Sequence, residues 1–177
     1  MPIQFHNADI RFSLKQKRKI QRFIHYQITT LSNYQIGSLD FIFCSDDYLL
    51  NINHRFLKHD YYTDIITFDL SEKGDAKTRD EQSLVSEIYI SVDRVKENSL
   101  KFEQTKVADL KLEANMRNPP SGAKRSTPPN QNFESELLRV IFHGVLHLLG
   151  YKDKTVKQKK EMRKMEEKWL LWFADYN

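Results

Sequence analysis

The sequence predicts an α+β protein, a single domain in which a four-stranded mixed β-sheet packs against several α-helices. Four segments have the alternating or β-branched pattern of strands, and they do not alternate strictly with the helical segments. One helical segment is apolar over most of its surface, which indicates a central, buried helix. A chain of 177 residues suits one domain, so we assign residues 1–177 to it.

Each element is predicted from its own local pattern. Apolar side chains recur at every second position in strands and every three or four positions in helices, while Ser and Asp are favoured as helix N-caps. In chain order the predicted elements are a strand within 3–10, a helix from a Ser13 cap to Leu31, a strand around 39–43, a helix from an Asp46 or Asp47 cap to about Lys58, strands at 63–70 and 85–92, and helices at about 93–104, 133–149 and 155–173.

Residues 107–132 differ from the rest of the chain in composition. Four of the five prolines lie there, together with glycine, serine and basic residues. A long segment of this kind is usually either functional or disordered. We therefore predict a flexible, proline-rich insertion ahead of the central helix. We expect this insertion to have no functional role. The alternative is that it forms a basic, mobile lid over the site.

Composition limits the classes of function. The longest apolar runs are too short for a membrane span, and the first residues lack the basic and apolar regions of a signal peptide. Cys44 is the only cysteine, so no internal disulfide can form, and a reducing cytoplasm is expected. A net charge of +4 mildly favours polyanionic partners such as nucleic acid. The basic face of the first helix is expected to be solvated, with a nucleic-acid contact as the alternative.

Residues 143–153 contain the strongest functional pattern. His143 and His147 lie four residues apart, so on a helix they share one face and can bind one metal ion. Gly150 follows where the apolar pattern stops and is suited to reversing the chain. Asp153 could then return to the same ion as a third ligand. Two histidines, a carboxylate and an open fourth position are typical of a catalytic zinc site.

Gly144 limits which reaction such a metal could serve. Metalloproteases that hold zinc on a His-x-x-x-His helix have a glutamate directly after the first histidine as the general base. Glycine cannot accept a proton, which argues against peptide hydrolysis. A metal can also lower the pKa of water and polarise a phosphoryl oxygen, and the basic composition favours phosphoryl chemistry. Arg55 is a candidate to stabilise the charge on the phosphate, and Glu136 is expected to support the site without binding the metal.

The segment His-Gly-Val-Leu-His-Leu-Leu-Gly-Tyr, residues 143–151, resembles the signature of the YbeY family of bacterial endoribonucleases. Two further stretches resemble family motifs: 50–68, which contains Arg55 and Thr-Asp-Ile-Ile-Thr-Phe, and 86–91, Ser-Glu-Ile-Tyr-Ile-Ser. The resemblance implies one zinc ion held by His143 and His147, and a role for Arg55 at the phosphate. It also implies hydrolytic cleavage of single-stranded RNA in the maturation of the small-subunit ribosomal RNA 3′ end and in ribosome quality control. The expected partners are ribosomal RNA, the small ribosomal subunit and an assembly GTPase.

The sequence departs from the family pattern at two places. The third metal ligand of the family is a histidine, and Asp153 occupies that position here. A carboxylate also binds zinc, but it favours harder metals somewhat more. The segment 107–132 is the second departure. Two other functions stay open at this point: a ribosome-assembly factor with a purely structural metal, and a metalloprotease. The sequence also leaves open whether water or the RNA 2′-hydroxyl attacks the phosphate.

Overall fold

The computed structural model describes residues 2–71, 83–101 and 129–176, with side chains from residue 133 onward in the last range. A wider π-helical turn is present at Asn53–Leu57. The elements in chain order are β1 (Ile3–Asn7), α1 (Lys17–Leu31), β2 (Gln35–Cys44), α2 (Asp46–Ile52), β3 (Ile65–Asp69), β4 (Ser83–Ser91), α3 (residues 92–101), α4 (Pro129–Leu148) and α5 (Val156–Asp175).

The four strands form one mixed sheet in the order β1-β2-β4-β3. The neighbours β1 and β2 are parallel, as are β2 and β4, whereas β3 is antiparallel to β4. Within the described residues β3 is an edge strand, and α4 packs against it. The predicted α+β class and the four-stranded mixed sheet are therefore confirmed.

Several boundaries differ from the prediction at the start of the chain. Strand β1 ends at Asn7, whose side-chain amide donates to the Phe12 carbonyl at 2.9 Å and closes a turn. Helix α1 begins at Lys17, so the predicted cap at Ser13 is wrong. Leu14 is buried in the core and Gln16 has a positive φ of 55°, so these residues pack the turn before the helix instead of starting it. Ser45 caps α2, one residue before the predicted Asp46.

Helix α4 begins at Pro129, four residues earlier than predicted. The missing amide hydrogen of proline is tolerated in the first turn of a helix, where no backbone acceptor is available. The predicted insertion of 107–132 therefore overlaps the first turn of α4. Residues 107–128 of that prediction lie outside the described part of the chain.

The main core lies between the sheet and the helices α1, α4 and α5. Alternate side chains of β2 and β4 point into it, as the period of a strand requires. Where the three helices meet, four rings pack with their centroids 5.2 to 5.9 Å apart: Phe23, Phe142, Trp169 and Phe173. This aromatic cluster packs α5 against α4.

Helix α4 approaches the sheet closely at Gly144. A Cβ atom at this position would lie 2.7 Å from the Ile65 Cδ1 atom and 3.1 Å from the Ile88 Cγ2 atom. The glycine therefore faces β3 and β4, and its missing side chain lets the helix lie against the sheet. His143 consequently sits beside the edge strand β3.

A smaller cluster lies on the opposite face of the sheet, beneath α2. It contains Cys44, Leu49 and Ile66, with Phe68 and Tyr89 packed against it. Desolvation and the nearby carboxylates of Asp9, Asp46 and Asp93 raise the pKa of the Cys44 thiol to about 12. The lone thiol is thus buried and protonated. No helix in the described ranges is long and apolar enough to cross a membrane.

Candidate metal centre

The structure brings the three predicted metal ligands together. The Nε2 atoms of His143 and His147 lie 2.9 Å apart, and the Asp153 Oδ2 atom is 4.0 Å from each. Within the described ranges these three residues are the only group of three or more His, Cys, Asp or Glu side chains whose ligand atoms lie within 4.8 Å of one another. His143 and His147 therefore lie on one face of α4, close enough to share one metal ion, as their four-residue spacing predicted.

The turn after α4 positions Asp153, the third predicted ligand. Gly150 has a φ of +90°, and its N–H donates to the His147 carbonyl at 3.0 Å. The Tyr151 N–H donates to the Leu146 carbonyl at 3.0 Å, which completes a Schellman motif. The chain reverses here because glycine adopts a positive φ at little cost. Asp153 is thereby carried back to the two histidines.

The second ring nitrogen of each histidine has its own acceptor. His143 Nδ1 lies 2.8 Å from the Glu166 Oε1 atom, and His147 Nδ1 lies 3.0 Å from the Tyr151 carbonyl oxygen. A carboxylate or carbonyl oxygen can only accept, so each Nδ1 must carry the hydrogen. In a neutral imidazole the Nε2 atom then holds a lone pair. Both rings are consequently in the tautomer that binds a metal through Nε2.

This arrangement suits a cation. When both imidazoles are neutral, two Nε2 lone pairs and the Asp153 carboxylate converge on one point. Without a positive charge between them, these groups repel one another. Zinc–nitrogen bonds of about 2.0–2.1 Å at a tetrahedral angle place two nitrogens roughly 3.3 Å apart, which a small rotation of either ring achieves. The residues present therefore fit a metal ion.

The electrostatics of the two histidines differ. Burial opposes protonation of His143, but the hydrogen bond and negative charge of Glu166, with the charge of Asp153, raise its pKa overall. Burial and the neighbouring His143 lower the pKa of His147. Burial acts to raise the pKa of Glu166, yet His143 and Arg139 outweigh it and lower that pKa. Glu166 is therefore an anion beside His143.

The centre is open to solvent on two sides. A cleft of about 600 Å³ is lined by His143, His147 and Asp153 together with Asp64 and Lys154. A second cavity of about 500 Å³ shares His143, Asp153 and Asp64 with the first. The Asp153 side chain is 45% exposed and that of His147 is 31% exposed. An accessible coordination position is typical of a catalytic metal site, whereas structural sites are closed.

Glu136 lies near the centre but does not touch His143. It lines the second cavity, and its Oε2 atom is 3.4 Å from the Arg139 Nε atom. Burial raises its pKa, and Arg139 partly offsets that effect. Its predicted supporting role is thus indirect, because the carboxylate that contacts His143 belongs to Glu166.

Arg55 lies in a different place from the three ligands. It lines a cavity of about 590 Å³ formed with Phe56, Phe68 and Tyr89, and its guanidinium carbon is 5.3 Å from the centroid of the Phe56 ring. Phe68 and its neighbour Thr67 point to opposite faces of β3, and Thr67 lines the metal cleft. Arg55 does not line the metal cleft, although Asn53 and Leu57 of the same turn do. Lys154 is the lysine that lines the cleft itself.

Sequence reasoning missed Glu166, although its position carried a signal. Met162, Glu166, Trp169 and Phe173 are all buried, and their spacing marks the face of α5 that packs on the core. A glutamate in such an apolar stripe needs a polar partner inside the protein. That signal indicates a buried contact but does not identify His143 as the partner.

An α+β fold with an open site of two histidines and a carboxylate fits the class of hydrolases that use a catalytic metal. The family model described as Endoribonuclease YbeY matches residues 2–113 and 120–173. The chain belongs to the YbeY endoribonuclease family, and this membership supports an endoribonuclease role. The interruption in the match, 114–119, falls within the range of the predicted insertion.

Individual relatives agree with this assignment. The Endoribonuclease YbeY of Cytophaga hutchinsonii is 40% identical over 166 residues, covering 93% of this chain and 91% of the relative. That of Karelsulcia muelleri is 36% identical and covers 93% and 91% of the two chains. A Thermotoga maritima protein solved in solution has a similar fold, with a TM-score of 0.52 and 23% identity over 95% of this chain and 86% of that protein.

Proposed function

We propose that this protein is a metal-dependent endoribonuclease in which His143, His147 and Asp153 hold a single zinc ion. The observation that carries the proposal is the convergence of two Nε2 lone pairs and a carboxylate beside an open cleft. A bound zinc ion would supply Lewis acidity, lowering the pKa of a water molecule and polarising a phosphoryl oxygen. Since Asp153 replaces the family's histidine, a harder metal such as manganese is the competing ion.

The proposed substrate is single-stranded RNA, in particular ribosomal RNA near the 3′ end of the small-subunit molecule. Family membership supports RNA cleavage, and the narrower substrate and a role in ribosome quality control rest on the family resemblance. The small ribosomal subunit and an assembly GTPase are the proposed partners on the same basis. The single, buried Cys44 supports a cytoplasmic location, because free thiols persist in reducing compartments.

Chain residues other than the ligands would position the RNA. Lys154 lines the cleft and would contact a phosphate close to the metal. Arg55 lines a neighbouring cavity and not the metal cleft, so we propose that it binds a phosphate further along the RNA strand instead of the scissile one. The ring of Phe56 beside Arg55 is 58% exposed and could stack on a base.

The first experiment compares metal content and RNA cleavage in the wild type, His147→Ala and Asp153→Ala. Elemental analysis of the purified proteins should show close to one metal ion in the wild type, with loss of metal and cleavage in His147→Ala. Glu167→Gln, an exposed change on α5, is the matched control and should behave as the wild type. Full metal content and full cleavage in both ligand variants would refute the assignment of the site.

A second experiment separates catalysis from a structural role for the metal. If the ion only tied α5 to α4, its removal would lower the melting temperature while RNA binding persisted, and the holoprotein would cleave no RNA. The exposed cleft and the aromatic docking of α5 on α4 favour catalysis instead. A single 2′-deoxy substitution at the cleavage position identifies the nucleophile, since it blocks attack by the 2′-hydroxyl but not by water.

A further inference from the structure

The hydrogen bond between Glu166 and His143 joins the last helix to the candidate metal centre. Glu166 lies on α5, 23 residues after His143, and its Oε1 atom is 2.8 Å from the His143 Nδ1 atom. Its other oxygen, Oε2, accepts from the Arg139 Nη1 atom at 3.3 Å. The carboxylate is therefore held at both oxygens and presents a fixed acceptor to the ring.

Glu166 is buried, which is unusual for a carboxylate. It is 5% exposed, and it is the only buried acidic residue in the ranges that the structure describes. Removing a carboxylate from water is costly unless hydrogen bonds and opposite charge offset the loss. This charge lies on the buried face of α5, whose other buried side chains are apolar.

Joining α5 to α4 does not require Glu166. Phe142 on α4 packs against Trp169 and Phe173 on α5, with centroids 5.6 and 5.7 Å apart. An apolar residue at position 166 could extend this contact without a desolvation cost. The carboxylate at position 166 is better explained by its hydrogen bond to His143.

The two candidate ligands are oriented in different ways. His147 Nδ1 donates to a backbone carbonyl, that of Tyr151, which the turn at Gly150 puts in place. His143 lies within α4, where each backbone carbonyl is already used by the helix, so its Nδ1 needs a side-chain acceptor. Glu166 supplies that acceptor from the neighbouring helix.

We propose that Glu166 is a positioning residue for His143: it fixes the Nδ1–H tautomer of this ring and directs the Nε2 lone pair into the cleft. The carboxylate also makes the imidazole a stronger electron-pair donor than a neutral acceptor would. Removing such a partner of a metal-binding histidine typically weakens metal affinity about 10- to 100-fold. The metal part of this inference rests on the proposed function, whereas the tautomer part concerns the protein alone.

The test uses the full-length protein and the substitutions Glu166→Gln and Glu166→Ala, with Glu167→Gln on the exposed side of α5 as the matched control. Nitrogen-15 NMR of the metal-free protein at about pH 8.5, where neutral imidazole predominates, reports which ring nitrogen carries the hydrogen. His147 serves as an internal reference because its acceptor is backbone. His143→Gln and His147→Gln proteins assign the two sets of signals.

We expect the wild type and Glu167→Gln to show Nδ1–H at both histidines. Glu166→Ala should convert His143 to a tautomer mixture and leave His147 unchanged. Zinc affinity, measured by chelator competition, should fall about 10- to 100-fold in Glu166→Ala. Glu166→Gln keeps the size of the side chain, so it should fold even where Glu166→Ala does not, with a smaller loss of affinity because an amide oxygen can still accept.

An unchanged His143 tautomer in folded Glu166→Ala would overturn the inference, as would zinc affinity within about threefold of the wild type in both Glu166 variants. A purely structural role would lower thermal stability without moving either signal. If the wild type bound no zinc, the proposed metal centre would fail, while the His143 tautomer would still decide whether Glu166 orients the ring. The two proposals can thus fail separately.

Discussion

Gly144 and Ile65 are in such close contact that a Cβ atom on the glycine would lie 2.7 Å from the Ile65 Cδ1 atom. The position after His143 therefore faces the sheet and not the cleft. In metalloproteases with a His-Glu motif this position carries the general base. Here a glutamate would be pressed between α4 and β3, so the packing as well as the chemistry opposes a protease.

The first prediction concerns Gly144→Glu. A buried carboxylate without a partner and an overpacked interface should lower the free energy of unfolding by about 3 kcal/mol or more. Gly144→Ala should change it by only about 1 kcal/mol, because better helix propensity offsets the crowding. Urea unfolding followed by circular dichroism measures both. A Gly144→Glu protein as stable as the wild type would show that α4 does not pack on β3 in this way.

The second prediction concerns the identity of the metal. Asp153→His restores the three-histidine set of the family and should raise the ratio of zinc to manganese affinity, because imidazole is a softer ligand than carboxylate. Asp153→Asn keeps the size of the side chain but removes the charge, and it should weaken binding of both ions. Chelator competition with each metal gives the affinities. An unchanged ratio in Asp153→His would indicate that residue 153 does not bind the ion.

The third prediction compares two cations in RNA cleavage. Lys154→Ala should lower kcat/KM and reduce the salt dependence of RNA binding by about one unit of slope, since the cleft loses a phosphate contact. Arg55→Ala should mainly raise KM, because Arg55 lines a different cavity from the candidate metal ligands. Lys96→Ala is the control, as this exposed lysine lines neither cavity of the metal centre. A large fall in kcat for Arg55→Ala would instead place Arg55 at the scissile phosphate.

The fourth prediction concerns Cys44. This thiol is fully buried and has a pKa of about 12, so a thiol reagent at about pH 8 should label it only when the protein opens. The labelling rate should rise with urea in parallel with unfolding. Fast labelling of the native protein would contradict the burial of the cluster beneath α2.

The same pKa shift predicts how stability depends on pH. The folded protein holds the Cys44 proton more tightly than the unfolded chain, whose thiol pKa is near 9.0. The contribution of Cys44 to stability is therefore complete below about pH 9 and is lost as the pH rises toward 12. Cys44→Ala should be less stable at neutral pH, because it leaves a small cavity, but its stability should fall less steeply with alkali.

The sequence by itself determined the parts of this protein that depend on local spacing. The four-residue interval places His143 and His147 on one face of a helix, and Gly150 permits the positive φ that brings Asp153 back. The strands were also predicted from local spacing, because apolar side chains recur in them at every second position. Helix starts were predicted less accurately. Ser13 has the chemistry of a cap, but Leu14 packs into the core and α1 begins at Lys17.

Only the tertiary structure decided which distant residues meet. Glu166 reaches His143 because α5 folds back on α4, and no local pattern fixes that register. Arg55 lines a different cavity from the candidate metal ligands, although Asn53 and Leu57 of the same turn line theirs. Short-range rules describe what one helix or turn can present, whereas the partner of a buried charge depends on how whole elements pack.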